Sequence, residues 1–159
     1  MIKKILILIS LTLLGTSLFA NEDDTVVKKV VYDLTSGKQK KIERNLLSGV
    51  VTHMNHYEGE FQELEVRVVV HGDAYKFFLK DLNGTKYSSD KELVKTKDKL
   101  GQRLASLAKN YSVKFFVCEV GAKSKGLKVE NFYPFIKMIP NSAIGLIDAQ
   151  YEGFAYLPL

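Results

Sequence analysis

Nine residues near the middle of the chain, LEVRVVVHG from Leu64 to Gly72, constrain the fold more than any other stretch. Val66, Val68, Val69 and Val70 form a β-branched run that favours extended backbone. Its end is apolar at consecutive positions, so both faces of the strand need cover. That is the situation of a strand in a parallel sheet with helices on either side. Gly72 closes the run with a turn signal.

The rest of the chain supplies the partners such a strand requires. VVKKVVYD, Val26 to Asp33, reads as a first strand ending at LTSG, with Thr35 or Ser36 as a helix cap. Ile42, Leu46, Leu47, Val50, Val51 and Met54 recur at three- and four-residue spacings, which predicts a helix from Lys38 to Tyr57. After Leu64–Gly72, AYKFFLKDL predicts a short helix within Asp73 to Leu82, and NGT a turn at Asn83 to Thr85. Ser89 with Glu92 has the spacing of a capping box. The helix it would start carries Leu93, Lys97, Leu100, Leu104, Leu107 and Ala108 on one period, with Gly101 as a weak point. VKFFVCEV, Val113 to Val120, is a third strand, followed by helical turns at Gly121 to Lys125 and Lys128 to Phe132. FIKMIP, Phe135 to Pro140, is a fourth, stopped by proline. Asn141 or Ser142 caps a helix over Ala143 to Gln150, and FAYL forms a short fifth strand. Strands alternating with helices give an α/β domain: a three-layer α/β/α sandwich with a mainly parallel sheet of about five strands.

The first twenty residues stand apart. MIKK is basic, ILILISLTLLG is apolar, and TSLFA leads to a cleavage point after Ala20, the pattern of a secretory signal peptide. The expected mature chain, residues 21–159, is a single domain in the periplasm or otherwise exported, with no stable membrane insertion after cleavage. Loss of Lys3 and Lys4 leaves 21 basic and 18 acidic side chains, about +3, which calls for no nucleic acid partner.

Export gives weight to a single number: the chain holds one cysteine, Cys118. It has no partner for an internal disulfide, and an idle exposed thiol is a liability in an oxidising compartment. Two readings stand, a small hydrophobe packed in a strand or a reactive thiol. Strand direction would bring three features to the carboxyl side of the sheet, where ligands usually bind. They are Asp33 with its LTSG turn, His71 with Gly72 and Asp73, and Cys118 with Glu119, Gly121 and Lys123. There the thiol would meet backbone N–H groups that favour a thiolate. Lys123 or Lys125 would add positive charge if turned toward it, and Glu119 would oppose them.

Other chemistries find less support. There is no G-x-S-x-G segment, and C-x-x-C is absent, which speaks against a serine hydrolase and a self-contained dithiol oxidoreductase. His53 and His56, three apart, fit a polar helix edge and need further ligands to hold a metal, so no metal or cofactor is expected. His71 is a candidate base toward Cys118 as well as a turn residue. Thr35 to Gly37 is too short to specify phosphate. Phe132, Tyr133, Phe135, Phe154 and Tyr156 serve either the core or a subunit contact.

Four pieces in order resemble the exported branch of the DsrE/DsrF-like proteins: VVYDLTSG, VVVHGDAYKFFL, VKFFVCEVGAKSKGL and MIPNSAIGLIDAQYEGFAYL. The resemblance implies an α/β sandwich that assembles into homo-oligomers. It also implies a sulfur-handling role, with sulfane sulfur carried as a persulfide on the cysteine after the third strand, here Cys118. Donor and acceptor would be proteins or small persulfides. Lys125 and Gly126 match the family's basic residue and glycine, whereas Glu119, Val120 and Gly121 replace the small polar turn common in exported members. The alternative is a non-catalytic oligomeric binding or assembly module whose cysteine is structural.

Overall fold

A computed structural model describes residues 26–159. The expected signal peptide lies outside the described residues. Strand β1 (Val27–Leu34) leads into a helical stretch made of α1 (Gln39–Lys41), a π-helical segment (Ile42–Ser48) and α2 (Gly49–Gly59). β2 (Glu63–Val70), a 3-10 turn (Ala74–Phe78) and α3 (Lys91–Asn110) follow. Then come β3 (Lys114–Cys118), α4 (Glu119–Ser124), a 3-10 turn (Val129–Asn131), β4 (Ile136–Ile139), α5 (Ser142–Tyr151) and β5 (Ala155–Pro158). The five strands make one sheet in the order β4-β3-β2-β1-β5, and every pairing is parallel. The fold is the three-layer α/β sandwich that the alternation of elements predicts.

Strand parity sorts the core into two layers. Val30, Tyr32, Leu34, Val66, Val68, Val70, Phe115 and Val117 point to a first face. There they are buried with Ile42, Leu46 and Val50 of the first helical stretch and Leu93, Leu100 and Leu104 of α3. Val31 and Val69 point the other way and are buried with Ala149 of α5 and with Phe154. Both layers draw on the consecutive valines of β2, and each such side chain contributes roughly 1.5–3 kcal/mol relative to exposure.

The two layers are unequal. On the second face the ten residues of α5 are the main cover. Gly145 lets this helix lie close, since a Cβ there would run into Ile139 and touch Val69. Arg67 holds its far end: the guanidinium lies 4.0 Å from the Phe154 ring centre and pairs with Glu152 at 2.5 Å. The outer side of α5 shows Ile144, Ile147 and Tyr151 to solvent.

Several local expectations are corrected. Neither Thr35 nor Ser36 caps the first helix; it starts at Gln39 with no side-chain cap, and Ser36 Oγ accepts from Lys38 N–H at 3.3 Å. Asp90, not Ser89, caps α3: it directly precedes the first helical residue, Lys91, and accepts from Leu93 N–H at 3.1 Å, and its carboxylate is also held by Lys76. The AYKFFLKDL segment makes one 3-10 turn, with Ala74, Tyr75, Phe77 and Phe78 all buried. Four buried side chains in five residues leave no solvent face for a longer helix. Gly101 serves packing, because a Cβ there would collide with the Tyr133 hydroxyl.

No helix among the described residues is long and apolar enough to cross a membrane.

Candidate functional site: the carboxyl rim of the sheet

Neighbouring strands deliver their chemistry to one rim. The last registered pair of β2 and β3 is Val70 with Val117. The next residues, His71 and Cys118, are therefore neighbours at the strand ends; parity puts His71 on the second face with Asp33 of β1, while Cys118, at the turn into α4, is buried with the first-face core. Asp33 binds sideways in both directions. One carboxylate oxygen accepts from His71 Nε2 at 2.6 Å and the other from the Tyr156 hydroxyl of β5 at 2.8 Å. With Nε2 carrying the proton toward Asp33, a neutral His71 keeps Nδ1 as an acceptor. The bond to Asp33 is the main reason the Tyr156 phenol is held above its ordinary range.

Cys118 stands where β3 ends and α4 begins. Its Sγ caps α4, accepting from Gly121 N–H at 3.4 Å. The Tyr75 hydroxyl donates to the Cys118 carbonyl oxygen at 3.0 Å and also lies close enough to favour a thiolate. From α5 comes a further contribution: Ser142, its first residue, favours the thiolate through both its N–H and its hydroxyl. Burial is the largest single influence on this thiol and pushes it up. Gly121, Tyr75 and Ser142 together outweigh it, and the net effect holds Cys118 below its ordinary value. The sulfur thus sits between two helix starts, an electrostatic setting suited to anionic sulfur. Cys118 as a whole is only 6% exposed.

The charged residues around it are engaged elsewhere. Lys123 pairs with Glu119 at 2.6 Å on the exposed side of α4. Lys125 reaches Asp73 at 3.4 Å. None of the four is among the causes of the thiolate preference. Gly72 adopts φ +64, which L side chains rarely take, and its turn lets Asp73 N–H reach Thr35 O at 3.1 Å. Gly72 and Asp73 thereby tie the β1 and β2 loops together behind the rim. Among the described residues no three His, Cys, Asp or Glu side chains gather as a metal site would require.

Residues 28–159 match the DsrE/DsrF-like family. The chain belongs to this family. A curated relative, an uncharacterized protein of Aquifex aeolicus, is 39% identical over 56 residues. That match takes in 35% of this chain and spans about a quarter (24%) of the relative's length. Among solved structures, a protein of unknown function from Methanobacterium thermoautotrophicum superposes with a TM-score of 0.64 at 17% identity. The superposition covers 83% of this chain and 99% of that one, and the likeness is one of fold.

In this DsrE/DsrF-like chain the rim brings Asp33 and His71 into contact and places Cys118 at the end of the adjacent strand, with Gly121 as a direct donor. Three contributors were missed in the sequence. Tyr75 is hidden in an apolar segment, Ser142 reads in the sequence only as a helix cap, and Tyr156 reads as an aromatic of the core or a subunit contact. One signal was available for Tyr75. A tyrosine among phenylalanines in a segment without solvent exposure needs a partner for its hydroxyl.

Proposed function

We propose that this protein is an exported sulfur carrier that holds sulfane sulfur as a persulfide on Cys118. One observation carries the reading: Gly121 N–H, Tyr75 and Ser142 converge on the sulfur and favour its anion despite burial. In the loading step the Cys118 thiolate attacks the outer sulfur of a donor persulfide, R–S–SH. The donor S–S bond breaks, R–S⁻ leaves, and Cys118–S–SH forms. In the unloading step an acceptor thiolate attacks that outer sulfur and Cys118 departs as thiolate. Neither step needs an external oxidant or reductant, and the group that stabilises the thiolate also improves it as a leaving group. His71, positioned by Asp33, accepts the thiol proton through Nδ1 in this scheme. Lys123 has no part in it.

The test is mass spectrometry of the native protein after exposure to polysulfide. The expected result is one added sulfur on Cys118, absent in Cys118→Ala; equal labelling of both proteins would overturn the reading. Export belongs to the same proposal, and the mass of the protein recovered from the periplasm should correspond to a chain beginning at Asn21.

The 6% exposure of Cys118 favours a second reading, an assembly module with a packed cysteine. Maleimide separates the two. Modification of the folded protein supports the carrier, and protection until denaturation supports the packed residue.

A further inference from the structure

The first face of the sheet carries a second recessed surface that the sulfur chemistry does not use. On the first face α2 covers β1 and β2 but stops short of β5, so Ala155 and Leu157 remain exposed. The step between helix and edge strand is an open groove of about 820 Å³. Its apolar lining includes Val30, Leu64 and Leu157.

Polar groups converge on this lining. The Tyr32 hydroxyl and His53 Nδ1 lie 2.6 Å apart, with the two rings nearly parallel at 16°. Burial pushes the Tyr32 phenol up to about 12, so at neutral pH it is the donor and Nδ1 the acceptor. A neutral His53 then carries its own proton on Nε2, a donor with no partner among the described residues. Tyr57 and His56 also line the groove, and their side chains make no hydrogen bond among the described residues.

Charge decides what fits. Two lysines and two histidines line the groove and no carboxylate does. Lys29 is diverted to the Glu152 carbonyl at 3.3 Å, but Lys28 forms no ion pair among the described residues. Apolar walls, unengaged donors and a cationic rim are the recognised ingredients of a small-molecule site.

We propose that the groove between α2 and β5 binds an apolar organic anion. The ring or chain of the ligand lies against Leu157 and Tyr57, and its acidic group is met by Lys28 and the imidazole N–H of His53. The site lies at the β5 edge of the sheet, Cys118 is not among its lining residues, and it does not depend on the sulfur-carrier reading.

Anilinonaphthalene sulfonate and its neutral counterpart, N-phenyl-naphthylamine, are suitable probes for the full-length folded protein. The sulfonate should bind saturably, one per chain, and shift the ring-proton NMR signals of His53 and His56 but not those of His71. Leu157→Glu should weaken it about tenfold or more. Lys28→Glu, at an exposed strand end, should weaken the sulfonate roughly three- to tenfold and leave the neutral probe unaffected. Cys118→Ser should bind like the parent. Absence of saturable binding overturns the proposal, as does a Lys28→Glu variant that treats both probes alike. Loss of a dimer on adding the sulfonate, seen by sedimentation, would assign the groove to a second copy and equally overturn it.

Discussion

The hydroxyl of Tyr75 occupies the place where the first side-chain atom of residue 121 would have to go, and only glycine there leaves it room. The same hypothetical Cβ would lie 3.5 Å from the Cys118 sulfur. One absent side chain therefore permits two contacts, from the Gly121 N–H to the sulfur and from Tyr75 to the residue that bears it. Gly121→Ala should destabilise the fold by about 1–3 kcal/mol through overpacking. It should also raise the thiol pKa by displacing a donor. Chemical denaturation reads the first effect, and the pH dependence of iodoacetamide alkylation the second.

Ser142→Ala should likewise move the Cys118 titration toward the ordinary thiol range, with little change in stability. The sign follows from the direction of the shift. A thiol depressed in the folded state contributes stability that is present above the unfolded value and is lost as pH falls through the folded one. The parent protein should therefore lose its Cys118 contribution as pH falls from the ordinary thiol value, 9.0, through the lower folded one, and Ser142→Ala should show a smaller change across the same interval. Lys123→Ala is the matched control: its ion pair with Glu119 is on the exposed side of α4, and both stability and thiol titration should stay as in the parent.

At the alkaline end the tyrosines decide. Burial holds Tyr32 at about 12 and pushes Tyr75, Tyr87 and Tyr133 upward as well. An acid raised in the folded state contributes stability below its unfolded value, and that contribution disappears as pH climbs toward the folded one. Absorbance of phenolate near 295 nm should show an early exposed group, then a late step coincident with loss of helix. Tyr75→Phe should lower stability by about 1–3 kcal/mol at neutral pH, because it leaves the buried Cys118 carbonyl without its donor.

Arg67 and Cys118 lie at opposite ends of α5. Arg67 clamps the end of α5 through Glu152 and the Phe154 ring, while the start of the same helix presents Ser142 to Cys118. Arg67→Ala should loosen the helix as a unit. Faster amide exchange throughout α5, faster maleimide reaction at Cys118 and a higher thiol pKa should appear together. Loosening of α5 without any change at the thiol would show that the two ends are uncoupled.

The number and identity of the strands were legible because the signals were strong and local; their order in the sheet was not. Consecutive valines at 68–70 demanded cover on both faces, and the structure provides it. The leucine period from Leu93 to Leu107 marked α3 to within a few residues. What escaped was cross-chain. Nothing near Cys118 in sequence announces Tyr75, which arrives 43 residues earlier, or Ser142, which belongs to another helix. The π-helical segment was equally silent: Ile42, Leu46 and Leu47 fit a regular helical period, and only packing against the sheet reveals the extra residue in the turn. Direction of charge was the remaining gap, since Lys123 and Lys125 choose Glu119 and Asp73 over the thiol.

The last strand lies beside the first. Tyr156 meets Asp33 across 123 positions of chain, and β5 has β1 as its one neighbour in the sheet. Loop-closure entropy over that span must be met before the pairing returns anything, so the sheet completes late and slowly in folding. Until then His71 has its aspartate without the tyrosine that braces it, and the rim is assembled in the same late event that seals the domain.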